Sequence, residues 1–389
     1  MKKASIVLWS LVLGFALAEG AARIWLTRLA DEDSFRRYGS IEMLRERIRG
    51  SSQSMSLYVP HRYLGFIPAP HYRRGRNHHD ARGFRGEAPS AAKAPGEFRI
   101  ACLGGSTTYG NTVDAPEEAY PAQLEAELRR RTGRNIRVVN AGASGWSSLE
   151  SLINLEARVL DLEPDLVIVY HGINDVATRL VWPPAAYRSD KSGSLLHSAG
   201  LDAAPPWPEQ LTLVRIFLVA TGRIRSHLDL AESLGRIAPT AQYFHFTQQK
   251  TDGSYPSGIF RKVPAEEILA ANPPRYFRRN LESLIGVARA HGVTPVLATF
   301  AWSEKVGNDP VLTSPEIVHA MAEQNELVLA VGREREVPVF DFAAEMPDDP
   351  SLYVGAVHMG VEGSRVQARL FADFLLRESL VPTRNPGEG

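Results

Sequence analysis

From Phe98 onward, short apolar runs alternate with longer stretches whose apolar residues recur every three or four positions. Phe98-Arg99-Ile100-Ala101-Cys102-Leu103 reads as a buried strand closed by Gly104-Gly105, and residues 117–131 follow with helical spacing at Ala119, Leu124 and Leu128. Ile136-Arg137-Val138-Val139-Asn140 is the next strand and 148–160 the next helix. Leu166-Val167-Ile168-Val169-Tyr170 is nearly continuous in apolar residues, as a parallel strand covered on both faces must be. After Asp175 the rhythm stops. Residues 179–272 are rich in Pro, Ser and Gly, with a single apolar helix predicted over 211–228. It resumes with a helix at 276–291, a strand at 295–300, a helix at 315–333, a strand at 338–342 and a last helix at 363–378. Strands alternating with helices predict an α/β fold: a doubly wound parallel sheet of about five strands in three layers. The 179–272 segment is then an insertion above the carboxyl ends of the strands.

The N-terminus follows another pattern. Lys2 and Lys3 precede an apolar run over 4–18 that Glu19 interrupts, and apolar residues continue to Leu26. A positive start, a short apolar stretch and Ala16-Leu17-Ala18 fit a signal peptide cut before Glu19. A retained anchor over 1–27, with Glu19 and Arg23 near the interface, fits as well and is slightly favoured. Both readings put the rest of the chain outside the cytoplasm. A lead segment (28–95), an α/β domain (96–380) and a disordered tail (381–389) complete the expected organisation.

Composition removes several classes. Lys+Arg and Asp+Glu both number 44, so no net basic charge points to a nucleic-acid partner. The single cysteine, Cys102, permits neither an internal disulfide nor a cysteine zinc site, and its apolar setting marks it as a small core residue. The basic stretch 71–79 reads as a solvated connector rather than a patch for an anionic polymer or lipid headgroups. Its adjacent His78 and His79 would face opposite sides of a strand.

In an open α/β sheet, ligands bind at the carboxyl ends of the strands. Four segments belong there. Gly104-Gly105-Ser106-Thr107-Thr108 puts a serine at a helix start, where its N–H faces a developing negative charge. An ordinary N-cap is the plain alternative. Asn140-Ala141-Gly142-Ala143-Ser144-Gly145-Trp146 lets backbone approach a ligand, with the Gly145 N–H as a donor, or merely turns the chain. His171-Gly172-Ile173-Asn174-Asp175 offers the Asn174 amide, or an Asx turn. Val357-His358-Met359-Gly360-Val361-Glu362-Gly363 brings a histidine from a loop, able to take a proton from Ser106.

Together the four segments resemble the blocks of the SGNH hydrolase superfamily, the GDSL-type esterases, over roughly 98–376. The resemblance implies a flavodoxin-like fold, Ser106 as nucleophile, His358 as general base, and an oxyanion hole from Ser106, Gly145 and Asn174. It requires no metal and no cofactor. Gly105 stands where many members carry Asp. Gly355 stands where the family pattern places an aspartate, three residues before the histidine, and Asp341, Asp348, Asp349 or a backbone carbonyl are the substitutes to consider. Leu64-Gly65-Phe66 and Arg82-Gly83-Phe84-Arg85-Gly86 resemble, more loosely, a segment preceding the hydrolase domain in some envelope-associated members. The implied activity is hydrolysis of an O-acyl ester of a carbohydrate or lipid outside the cytoplasm, through a Ser-His acyl-enzyme. Transfer of the acyl group to an envelope polysaccharide uses the same residues, and a non-catalytic carbohydrate-binding protein is the rival that Gly355 keeps open.

Overall fold

The structure is a computed structural model that describes residues 2–40, 43, 57–87, 89–90, 92–181, 184–190, 210–223, 264–306 and 312–383. The tail after 383 and much of the 179–272 insertion, including the end of its expected helix, lie outside the described residues. The chain divides into two units, Met1–Ser54 with Leu195–Ala241, and Met55–Ser194 with Gln242–Gly389.

The first unit is dominated by the helix Lys2–Ile24, which continues as a wider turn through Trp25–Leu29. Ser5–Leu29 is long and apolar enough to cross a membrane by length and composition. Its apolar side chains from Ile6 to Leu17 are exposed, Trp9 at 71% and Leu8 at 62%, while Leu26 is buried. The helix does not break at Glu19. That carboxylate accepts the backbone N–H groups of Thr212 (2.7 Å) and Leu213 (2.8 Å), capping the helix Thr212–Ala220. Two otherwise orphaned N–H groups at a helix start are thereby satisfied.

The second unit opens with small antiparallel pieces: β1 (Tyr58–His61) pairs with β2 (Gly65–Pro68), and β3 (Arg73–Arg74) with β4 (Asn77–His78). The main sheet contains β5 (Phe98–Gly104), β6 (Ile136–Asn140), β7 (Leu166–Tyr170), β8 (Thr294–Ala298) and β9 (Val339–Phe340). All neighbours are parallel, in the order β6-β5-β7-β8-β9. Counted among themselves, the strands run 2-1-3-4-5, the doubly wound order whose switch point lies between the first and third. Here that gap lies between β5 and β7.

Strand alternation sends Ile100, Cys102, Ile168 and Val296 to one face and Ala101, Leu103, Val167 and Leu297 to the other. On the first face pack Leu124 and Leu128 of the helix Tyr120–Thr132 with Phe371 and Leu375 of Val361–Arg377. On the second pack Phe277, Leu281 and Leu284 of Arg275–Ala290. Cys102 is fully buried, and burial pushes its thiol up to about 12, consistent with a core role.

The helix Pro315–Arg335 approaches β9 closely because position 332 is glycine; a Cβ there would fall on Val339 Cγ2. Gly332→Ala is therefore expected to cost about 1–3 kcal/mol as overpacking, lowering Tm by several degrees in a thermal melt. An unchanged Tm would show that Val339 rotates away without cost.

Candidate active site

Ser106 begins the one-turn helix Ser106–Tyr109 directly after β5, at the switch point. The turn ends at Gly110, whose φ of 84° is the left-handed conformation glycine adopts without penalty. Ser106 is 9% exposed. His358 lies in β11 (His358–Met359), which pairs with β10 (Tyr353–Gly355) in a hairpin before the last helix. Across 252 residues of sequence, His358 Nε2 lies 2.8 Å from Ser106 Oγ. The hairpin is held by the Ser303 N–H on Ala356 O (2.8 Å), the Thr112 hydroxyl on Met359 O (2.6 Å) and the Gly360 N–H on Leu352 O (2.9 Å). The backbone carrying His358 is thus fixed from three sides.

The loop after β6 closes the opposite wall. Ala143 donates to Gly104 O (3.2 Å), and Gly142 crosses so near that a Cβ would lie 2.6 Å from the Tyr109 nitrogen. Gly145 has φ +76°, again left-handed. From beyond β7, in the helix Ile173–Arg179, Asn174 Nδ2 donates to Trp146 O at 2.8 Å. Its amide therefore lies against the carbonyl next to Gly145, and the amide has a second hydrogen to give. Gly105 matters here: a Cβ at that position would lie 2.6 Å from Asn174 Nδ2 and 3.0 Å from Trp146 O. Ser106, His358, Asn174 and the Gly145 loop therefore share one end of the sheet.

The carboxylates considered as partners of His358 each have another hydrogen-bond or ion-pair partner. Asp341 accepts the Thr299 hydroxyl (2.8 Å), Asp348 pairs with Lys305 (2.6 Å), and Asp349 caps its own turn through the Ser351 N–H (2.9 Å). Gly355 sits opposite His358 in the hairpin register, with nothing within 4 Å of where a Cβ would be.

A second serine–histidine contact lies behind Asn174. His171 Nε2 is 2.8 Å from Ser151 Oγ, and its Nδ1 is 3.7 Å from Asp175, which accepts the Ser148 N–H and hydroxyl. Asn280 donates to Ser148 Oγ at 2.9 Å. Ser151 is fully buried and His171 and Asp175 are each 3% exposed, so substrate has no access. This network fixes the strand end and helix start that carry Asn174. Sequence reasoning missed it, reading the segment for the Asn174 amide with an Asx turn as the alternative.

The lead segment packs against residues of this region. Segment 71–79 departs from a solvated connector: Tyr72 is 5% and His79 1% exposed, although Arg73, Arg74 and Arg76 face solvent. His79 Nδ1 lies 2.8 Å from Ala69 O and Nε2 2.8 Å from the Tyr109 hydroxyl. Burial pushes its pKa down to about 4, so it is neutral near pH 7, donating from Nδ1 and accepting at Nε2. Arg85 and Tyr58 reach the same region. The sequence signalled Arg85 only through the Arg82-Gly83-Phe84-Arg85-Gly86 pattern, and Tyr58 not at all.

Among the described residues no group of three or more His, Cys, Asp or Glu is arranged to hold a metal ion. Residues 102–249 match the model of the GDSL-like Lipase/Acylhydrolase family, a span that contains Ser106, Gly145 and Asn174 but not His358. No curated protein matches. Similar solved structures include a lipase/acylhydrolase from Enterococcus faecalis (15% identity, 74% of this chain and 99% of that one, TM-score 0.42). A catalytic mutant of an acetylxylan esterase from Geobacillus stearothermophilus is also similar (14% identity, 74% and 97% covered, TM-score 0.41). Over residues 102–249 the chain is similar to the GDSL-like lipase/acylhydrolase family. Its class of chemistry is the serine-based hydrolysis of ester bonds.

Proposed function

We propose that Ser106 is the nucleophile and His358 its general base, and that the Ser106 and Gly145 N–H groups with the Asn174 amide form the oxyanion hole. The observation that carries this reading is the 2.8 Å contact between Ser106 Oγ and His358 Nε2 at the switch point of the sheet. As Ser106 Oγ attacks the ester carbonyl carbon, its proton passes to Nε2. The carbonyl oxygen becomes an oxyanion facing the three donors. Collapse expels the alcohol, which takes the proton from His358, and leaves an acyl-serine. Water, deprotonated by the same nitrogen, then releases the acid and regenerates Ser106.

The substrate in this reading is an O-acyl ester of a carbohydrate or lipid. A small cavity lined by Ser106, Tyr170, His358 and Gln367 opens beside the proposed nucleophile. The test is p-nitrophenyl acetate hydrolysis by the full chain, compared with Ser106→Ala.

The same reading places the enzyme on the outer side of a membrane, held by a retained N-terminal helix. Support comes from the continuity of that helix through Glu19 and from the two N–H groups Glu19 caps, since cleavage before Glu19 would remove the helical turn that presents it. The expected result is that the expressed chain stays in the membrane pellet after alkaline carbonate extraction and begins at its original N-terminus. A soluble chain beginning at Glu19 would overturn the anchor.

A further inference from the structure

The lead segment lies upstream of the residues that match the family model, yet it contacts both walls of the site. Arg85 is 5% exposed. Its Nη1 donates to Tyr109 O and Gly110 O, each at 2.5 Å, its Nη2 to Val113 O at 2.8 Å, and its Nε to Asn77 Oδ1 at 2.9 Å. The guanidinium also lies over the Tyr109 ring, 4.6 Å from the centroid. Tyr109 closes the turn that Ser106 opens, so the fork binds the carbonyl end of the nucleophile's own turn. A charge this buried is tolerated only where its donors are satisfied, and here backbone carbonyls satisfy them.

Tyr58 holds the other wall. Its hydroxyl donates to Ser144 Oγ (2.5 Å) and accepts the Ser144 N–H (3.2 Å). Ser144 Oγ in turn donates to Asn111 Oδ1 (2.6 Å), and the Asn111 N–H reaches Ser106 O (3.2 Å). Ser144 directly precedes Gly145. A continuous hydrogen-bonded path therefore runs from the lead segment through the glycine loop to the nucleophile's backbone.

We propose that Tyr58 and Arg85 are positioning residues that set the distance between the Ser106 nucleophile and the Gly145 oxyanion donor, making the lead segment part of the catalytic unit. The inference rests on the roles proposed above for Ser106 and Gly145. Apolar packing alone tolerates small slips, whereas directional bonds to both walls hold the reacting groups within the few tenths of an ångström that acyl transfer requires. Tyr58 and Arg85 act through Ser144 and through the carbonyls of Tyr109, Gly110 and Val113.

The experiment compares full-length wild type, Tyr58→Phe, Arg85→Lys and Arg158→Lys by Tm, by kcat and KM on p-nitrophenyl acetate, and by the rate of fluorophosphonate labelling. Tyr58→Phe removes one hydroxyl and keeps the ring. Arg85→Lys keeps the charge and loses the fork. Arg158 ties Arg82 O of the lead segment to Asn154 Oδ1, bonds neither the Ser106 turn nor Ser144, and serves as the structural control. The expected result is a fall of about tenfold in kcat and in labelling rate per labelled site for Tyr58→Phe and Arg85→Lys, with KM within about twofold. Arg158→Lys lowers Tm alone. Wild-type rates per labelled site in both lead-segment variants overturn this inference by itself. A wild-type chain that takes no label at Ser106 overturns the nucleophile assignment, and this inference with it.

Discussion

Ser106→Ala is expected to lower p-nitrophenyl acetate turnover by about ten-thousandfold or more, leaving only what the oxyanion donors achieve with water. The size follows from the mechanism: without Oγ no acyl-enzyme forms, and His358 has no proton to receive. His358→Ala should cost nearly as much, and the double variant little more than either single, because the two atoms act as one unit. Initial rates against a buffer blank, normalised to folded protein, make the measurement. A retained rate in Ser106→Ala would place the nucleophile elsewhere. The chain offers an apparent rival, since Ser151 and His171 also stand 2.8 Å apart with Asp175 nearby. Distance does not separate the two pairs; access and place do. Ser151 is fully buried within the helix Ser148–Asn154, whereas Ser106 is 9% exposed and stands at the switch point between β5 and β7.

Much of this architecture was written in local patterns. The five core strands announce themselves as short apolar runs because both faces of a parallel sheet are covered, and the observed β5 to β9 fall within a residue or two of the runs read from sequence. Strand order was not legible, since the partner of β5 is decided by packing far along the chain. The four site segments stood out because glycine, asparagine and histidine interrupt apolar runs where strands end. The supporting residues did not. Asp175 looks like half of an Asx turn until the helix start at Ser148 is brought against it, and Arg85 looks like one arginine of a loosely recognisable glycine-bearing pattern. Their function is defined by contacts 27 residues away for Asp175 and 24 to 28 for the Arg85 carbonyl bonds, so no local spacing encodes it. The missing carboxylate before His358 was legible as Gly355, but where Asp341, Asp348 and Asp349 point depends on Thr299, Lys305 and Ser351.

Gly105→Ala is expected to reduce turnover on the order of a hundredfold, about as much as Asn174→Ala, although it adds a single methyl. Gly105 has φ −90° and ψ −146°, a negative φ open to any residue, so the cost is not backbone strain. The added Cβ would lie 2.6 Å from Asn174 Nδ2 and 3.0 Å from Trp146 O. The carbonyl is backbone and the amide is the end of a side chain, so the amide is what moves, and with it a proposed oxyanion donor. Loss of one such donor costs about 3 kcal/mol of barrier. The space beside position 105 belongs to Asn174. The decisive measurement is a double-mutant cycle on kcat. If alanine at 105 acts by displacing the amide, Gly105→Ala with Asn174→Ala together should lose about a hundredfold and not ten-thousandfold, because the second change removes what the first has already displaced. Fully additive losses would mean that position 105 acts through something other than Asn174. A Gly105→Ala enzyme at wild-type kcat would mean that the amide moves aside at no cost and that the oxyanion forms elsewhere.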